Sequence, residues 1–143
     1  MAIKHTAVSY YGFNYTEHAE KDFIEMKEHG CDTVILAITE FDMDFCFPNI
    51  NEIVKTAHKV GLRVLADTWG IGKYFGGEQV SLFLQNNIHH RQVSAYTDEV
   101  LPAACFNTNA FRDYFKNIFG DHRAHRRNGE KVRQGVRALA DGL

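Results

Sequence analysis

The chain has little cysteine. Cys31, Cys46 and Cys105 are an odd number among 143 residues, and no CxxC spacing joins any two of them. That suits reduced, mostly buried thiols better than a disulfide framework and signals no zinc site. Long apolar runs are also missing. Stretches such as Val34 to Ile38 have the length of a strand, and Met1-Ala2-Ile3-Lys4-His5 has no hydrophobic segment resembling a signal peptide. The expectation is a soluble cytoplasmic protein with no membrane partner. No excess of one charge exists either: 16 Lys plus Arg stand against 18 Asp plus Glu. Neither nucleic acid nor an anionic membrane is favoured as a partner by that balance.

Phosphate-loop spacing is absent too. Gly70-Ile71-Gly72 and Gly76-Gly77 match neither GxGxxG nor GxxxxGK[ST], and backbone turning is their expected role. The eight histidines are scattered, apart from the adjacent His89 and His90 and the pair His122 and His125. Arg123, Arg126 and Arg127 beside that last pair would repel a cation. No metal site and no cofactor is therefore expected. Cys105 near Asn107 lacks an identifiable general base and reads as a small packed thiol.

What is present is an alternation of strand and helix patterns, with 45% apolar residues and 13% aromatics, enough for one compact domain. Thr6 to Tyr11 is β-branched and aromatic and ends at Gly12, which predicts a first strand. A helix follows, capped by Thr16, with Glu17 and Glu20 near its positive end and Phe23, Met26 and Ile24 on its apolar face. Gly30 stops it. Asp32 to Thr39 is almost continuously apolar, as expected of a parallel strand covered on both faces. After it come the acids Glu40, Asp42 and Asp44. A second helix follows Pro48, with Asn49 and Glu52 spaced as a capping box, a buried stripe of Ile50, Ile53, Val54, Ala57 and Val60, and a stop at Gly61. Leu62 to Asp67 is a third strand that again ends on an acid. Trp69 to Cys105 reads as an elaborated loop containing a short helix near Gln79 to Gln85 and a strand at Gln92 to Tyr96. Asn107 or Thr108 then caps a helix with Phe111, Tyr114, Phe115 and Ile118 at helical spacing.

The expected fold class is α/β: a partial (β/α)8 barrel over residues 1–120, made of the first three βα units with parallel strands. The remainder, residues 121–143, changes character. It carries six of the 16 basic residues, three acids and none of the 18 aromatics. Val132, Val136, Leu139 and Leu143 could line a basic helix, but no apolar run offers a fourth strand.

In parallel α/β folds ligands bind beyond the carboxyl ends of the strands, where the following loops converge. The candidates there are Tyr10, Tyr11 and Asn14 after the first strand, Glu40, Asp42 and Asp44 after the second, and Asp67, Thr68 and Trp69 after the third. Aromatic faces stack on the C–H faces of a sugar, while carboxylates and amides bind its hydroxyls, so the set suits a carbohydrate. The bland alternative is that Tyr10 and Tyr11 pack the mouth of the sheet and the Glu40 to Asp44 acids form a solvated loop. Asp67 and Trp69 are the sharper pair, since an acid at a strand end followed by an indole is hard to place on a purely solvated loop.

The run Trp69-Gly70-Ile71-Gly72-Lys73-Tyr74-Phe75-Gly76-Gly77-Glu78, with Leu101-Pro102-Ala103-Ala104-Cys105-Phe106-Asn107 and Phe111-Arg112-Asp113-Tyr114-Phe115, resembles uncharacterised bacterial glycoside-hydrolase-like TIM-barrel proteins. The likeness covers about residues 6 to 119. It implies a binding face containing Asp67, Trp69, Glu78 and Asn107, with Tyr11 by its place at the first strand end. Thr108-Asn109-Ala110 departs from the family pattern, and the fourth strand with its Asp-Glu-Pro motif has no counterpart. Glycoside hydrolysis needs two opposed carboxyls. Asp67 or Glu40 could orient a hydroxyl or a water, but neither pairs with a second acid, so catalysis by the isolated chain is not expected. Three readings follow: a truncated glycoside-hydrolase-like barrel; a sugar-binding α/β domain that covers its open strand edge with another chain, for instance as a homo-oligomer; and an unrelated domain of flavodoxin-like size, which would lack its phosphate loop.

Overall fold

A computed structural model of the chain describes residues 5–12, 15–73 and 79–119. Asn14, Glu78, the Gly76-Gly77 turn and the expected basic helix within 121–143 lie outside the described residues. In chain order the elements are β1 (Ala7–Tyr10), α1 (Thr16–Glu28), β2 (Thr33–Ala37), α2 (Glu40–Phe45), α3 (Phe47–Val60), β3 (Arg63–Asp67), α4 (Leu82–Asn86), β4 (Arg91–Val93), β5 (Val100–Ala104) and α5 (Asn109–Phe119). Single 3-10 turns occupy Ile71–Lys73 and Ile88–His90. No helix among the described residues is long and apolar enough to cross a membrane.

The three expected strands form one parallel sheet in the order β1-β2-β3. Val8, Val34 and Val64 are in register, as are Ser9, Ile35 and Leu65. Because side chains alternate across a strand, these two rows occupy opposite faces. The valine row packs under α1 and α3 in a cluster of Ala19, Phe23, Val34, Leu36, Ile38, Ile50, Ile53, Val54, Ala57, Leu62 and Val64. The other face is open, with Leu65 39% exposed. Both long helices therefore cover the same side of the sheet.

The buried stripe of α3 is the one its sequence pattern predicts, and Val60 packs against it. Gly61 ends the helix in the left-handed region (φ 85°, ψ 26°), where only glycine avoids a steric penalty, and its carbonyl accepts from Lys27 Nζ at 2.9 Å. Two caps differ from expectation. Tyr15, not Thr16, is the N-cap of α1, without a side-chain cap bond. Helix α3 starts at Phe47 with Cys46 as its N-cap, which puts Asn49 inside the first turn, so Asn49 and Glu52 form no capping box. Glu52 instead pairs with Lys55 one turn on, at 2.7 Å. Ile24 is exposed at 44%, and the apolar face of α1 consists of Ala19, Phe23 and Met26.

Beyond β3 the chain departs from a simple βα repeat. The acids after β2 are a short helix, α2, rather than a solvated loop. Thr39 caps it in a true capping box: Asp42 N–H donates to Thr39 Oγ1 at 3.2 Å, and Thr39 N–H donates to Asp42 Oδ2 at 2.9 Å. The strand expected at Gln92 to Tyr96 is β4, ending at Val93, and it pairs antiparallel with β5. Ser94 Oγ accepts from the N–H groups of Tyr96 and Thr97, turning the chain between them. Helix α5 buries Phe111 and Ile118 with Ile71, Phe83, Leu84 and Ala104 in a second cluster, and adds no residue to the core beneath α1 and α3. Met43 of α2 packs against both clusters. Helix α5 thus covers the excursion that precedes it, because that excursion supplies the matching apolar surface.

At the amino ends of the strands Asp32 gathers donors. His5 Nδ1 lies 2.6 Å and Arg63 Nη2 3.0 Å from Asp32 Oδ2, and Thr33 Oγ1 donates to Oδ1 at 2.8 Å. The bonds from His5 and Thr33, then the Arg63 charge, hold this carboxyl well below its ordinary value of 3.8. A depressed carboxyl contributes stability that is present above its unfolded-state pKa and lost as pH falls through the folded-state pKa. Asp32→Asn should therefore flatten the acid limb of the stability curve below about pH 5. Urea unfolding at a series of pH values checks this, and equal acid slopes for both proteins would refute it.

Candidate functional site

The two tyrosines at the end of β1 separate because alternation sends them to opposite faces. Tyr10 turns to the helix layer, where its hydroxyl donates to Asp22 and its ring lies 5.2 Å from Phe23. Burial, then the Asp22 bond and charge, push the Tyr10 phenol far above its ordinary value of 10.0. Its role is packing, and it does not line the groove that Tyr11 helps form. Tyr11 goes to the open side and meets Trp69 edge to face, ring centroids 5.7 Å apart at 79°.

That pair forms one wall of an open groove of ≈ 360 Å³ at the carboxyl ends of β1, β2 and β3. Gly12, Ala37, Thr39, Phe41, Asp42, Cys46 and Gln79 complete its lining. Each of the three strand ends contributes, as parallel topology requires: Tyr11 follows β1, Ala37 ends β2 and Trp69 follows β3. Thr39 and Asp42 are fixed by the capping box, with Thr39 Oγ1 donating to Asp42 Oδ2 at 2.7 Å. Tyr11 and Phe41 are 55% and 54% exposed, so apolar ring surface faces solvent here. Phe41 also packs on Phe45 one turn on, at 4.8 Å.

The other expected residues lie elsewhere. Asp67 is half-buried at the end of β3 in register with Ala37, but it is not part of the groove lining. Asn107 is exposed in the turn before α5. Thr108 precedes the helix instead, its carbonyl accepting from Arg112 N–H at 3.2 Å and its hydroxyl donating to the Cys105 carbonyl at 2.8 Å. Cys31 is buried, whereas Cys46 and Cys105 are half-buried, and all three are free thiols. Among the described residues no three His, Cys, Asp or Glu side chains gather into a metal-holding cluster.

Glu40 has a position that its sequence context did not reveal. It is 2% exposed, and its carboxylate accepts from Gly72 N–H at 2.7 Å, Ser81 Oγ at 2.7 Å and Phe83 N–H at 2.8 Å. Tyr114 of α5 turns its hydroxyl to the same group. Burial, then the Glu40 charge and hydrogen bond, then Asp44, hold that phenol protonated far above its ordinary value of 10.0. Donors from the protein here replace the hydration that a buried carboxyl group loses. The same saturation leaves it no acceptor site for a hydroxyl or a water from the groove. Glu40 is thus a fastening point for three separate segments, not a group that handles substrate.

Gly72 is also sterically confined. Its φ is 60°, and a Cβ there would lie 2.6 Å from Phe111 Cε2 and 3.1 Å from the Ala104 Cβ. Gly72→Ala must displace the Phe111 ring and strain the backbone, and it should cost about 2–4 kcal/mol in urea unfolding. A loss below about 0.5 kcal/mol, the range of an indifferent surface change, would contradict this packing. Comparison of the chain with protein-family models, with curated proteins and with solved structures finds no match.

Proposed function

We propose that the groove is a carbohydrate-binding site and that the protein acts as a sugar-binding α/β domain built like the opening of a glycoside-hydrolase barrel. The observation that carries this reading is the Tyr11–Trp69 pair, set edge to face beside exposed Phe41 and within a groove that also holds Thr39, Asp42 and Gln79. Rings of this kind bind the C–H face of a pyranose, and the hydroxyl, carboxylate and amide take its directional hydrogen bonds. Small-ligand sites join an apolar lining to a few fixed polar groups in this proportion.

Hydrolysis does not form part of the proposal. Two carboxyls must flank the scissile bond, about 5–5.5 Å apart for retention or 6.5–9.5 Å for inversion. Among the described residues Asp42 is the one carboxylate that lines the groove, and its Oδ2 is engaged with Thr39. Glu40 is sealed by its donors, and Asp67 stands outside the lining.

The chain contains a single tryptophan, Trp69, so its fluorescence reports on the groove alone. Titration with a panel of oligosaccharides should change the intensity or wavelength of that emission saturably for at least one sugar. Tyr11→Ala should weaken the same titration about tenfold, equivalent to about 1.4 kcal/mol. An emission unaffected by every sugar in the panel, or a Tyr11→Ala protein that binds as well as the parent, would remove the basis for this reading.

A further inference from the structure

We propose that two copies of the chain pair through the free edges of β3, antiparallel about a twofold axis at Leu65, and join their sheets into one. Among the described residues that edge is open: β2 pairs with β3 on one side, and no described strand lies on the other. A row of unpaired backbone groups of this kind is a template for another strand.

The backbone hydrogen bonds fix which groups that edge offers. Arg63 N–H donates across the sheet to the Asp32 carbonyl, and the Asp67 carbonyl accepts from Ile38 N–H. Alternation then directs the amides and carbonyls of Arg63, Leu65 and Asp67 toward β2, and those of Val64 and Ala66 toward the free edge. An antiparallel partner must find its hydrogen-bonded positions at Val64 and Ala66.

Only one twofold register satisfies both backbone and side chains. With the axis at Leu65, Val64 of each copy exchanges N–H and C=O bonds with Ala66 of the other, and every outward-facing group in that stretch is paired. Leu65 then faces Leu65, and Arg63 faces Asp67 of the second copy, in the positions where opposed side chains come closest. Moving the axis to Val64 sets Arg63 against Leu65, and moving it to Ala66 sets Leu65 against Asp67. An isologous interface requires a surface complementary to itself, and the order cation, leucine, anion read along one face of β3 has that property. Arg63 is half exposed and Leu65 is 39% exposed, so both are accessible to a partner. The Asp67 carboxylate has no hydrogen-bond or ion-pair partner among the described residues. The β1 edge, four residues long and without a charged side chain, offers no such complementarity. None of Arg63, Leu65 and Asp67 lines the groove, so this pairing stands apart from the sugar-binding reading.

Size-exclusion chromatography with light scattering on the full chain is the first test, and it should give twice the chain mass in the micromolar range. Asp67→Arg sets Arg against Arg63 of the second copy while leaving the Arg63–Asp32 contact in place, and it should yield a monomer. The double variant R63D/D67R restores opposite charges in swapped positions and should recover the dimer. Leu65→Cys provides a second measurement should the double variant fail to fold. Mild oxidation should join the introduced thiols of the two copies in a disulfide, identified by peptide mass mapping against the parent, whose thiols are Cys31, Cys46 and Cys105. A monomeric parent chain, an Asp67→Arg protein that remains dimeric, a folded double variant that remains monomeric, or the absence of a disulfide between the two introduced thiols would each overturn the proposal.

Discussion

Taking a carboxylate out of water costs several kcal/mol unless donors replace the lost hydration, and Glu40 meets that condition with donors from three separate segments. Gly72 comes from the 3-10 turn after β3, Ser81 and Phe83 from the start of α4, and Tyr114 from α5. Gly72, Ser81 and Phe83 stand 32, 41 and 43 residues further along the chain, so a single side chain just after β2 ties most of the later chain to the sheet. The apolar cluster of Ile71, Phe83, Leu84, Ala104, Phe111 and Ile118 forms around that attachment, and Met43 of the same short helix α2 joins it to the main core.

The groove inherits its shape from this arrangement. Trp69 lies just before the segment that Glu40 holds through Gly72, while Phe41, Asp42 and Cys46 belong to the helix that Glu40 begins or to its end. Fixing one carboxylate therefore sets the distance between the indole wall and the α2 wall. Tyr11 completes the wall from the opposite edge of the sheet, delivered by the strand alternation that sends Tyr10 inward to Asp22 and Phe23. The groove lining and the fastening contacts are thus made by neighbouring residues.

Legibility from the amino-acid sequence followed the strength of the local pattern. The apolar run around Val34 to Ile38, the stripe Ile50, Ile53, Val54, Ala57 and the stop at Gly61 each repeat one physical period, so strands, α3 and their parallel pairing were readable directly. Thr39 and Asp42 have a capping-box spacing, but Thr39 read as the end of the second strand and Asp42 as one of the acids after it, set on the ligand face or in a solvated loop. The strand Val100–Ala104 was obscured by Pro102, which an edge strand tolerates and a central one does not. Of the groove lining, Tyr11 and Trp69 were identifiable from their places at strand ends. Gln79 and Cys46 were not: Cys46 reaches the groove as the end of helix α2, a helix the sequence did not announce, and Gln79 lies 42 residues beyond Ala37 in a segment read as an elaborated loop. Glu40 was visible as an acid at a strand end, but its burial depends on donors far along the chain that no local pattern announces.

Amide hydrogen exchange on Glu40→Gln, compared with the parent chain, tests this fastening role most directly. The amide replaces a charged acceptor and leaves buried N–H groups with a weaker partner. Protection should be lost at Gly72, Phe83, Leu84 and along α5, and retained in α1, β2 and α3. Uniform protection equal to the parent, or a loss spread evenly over both clusters, would contradict the fastening role of Glu40.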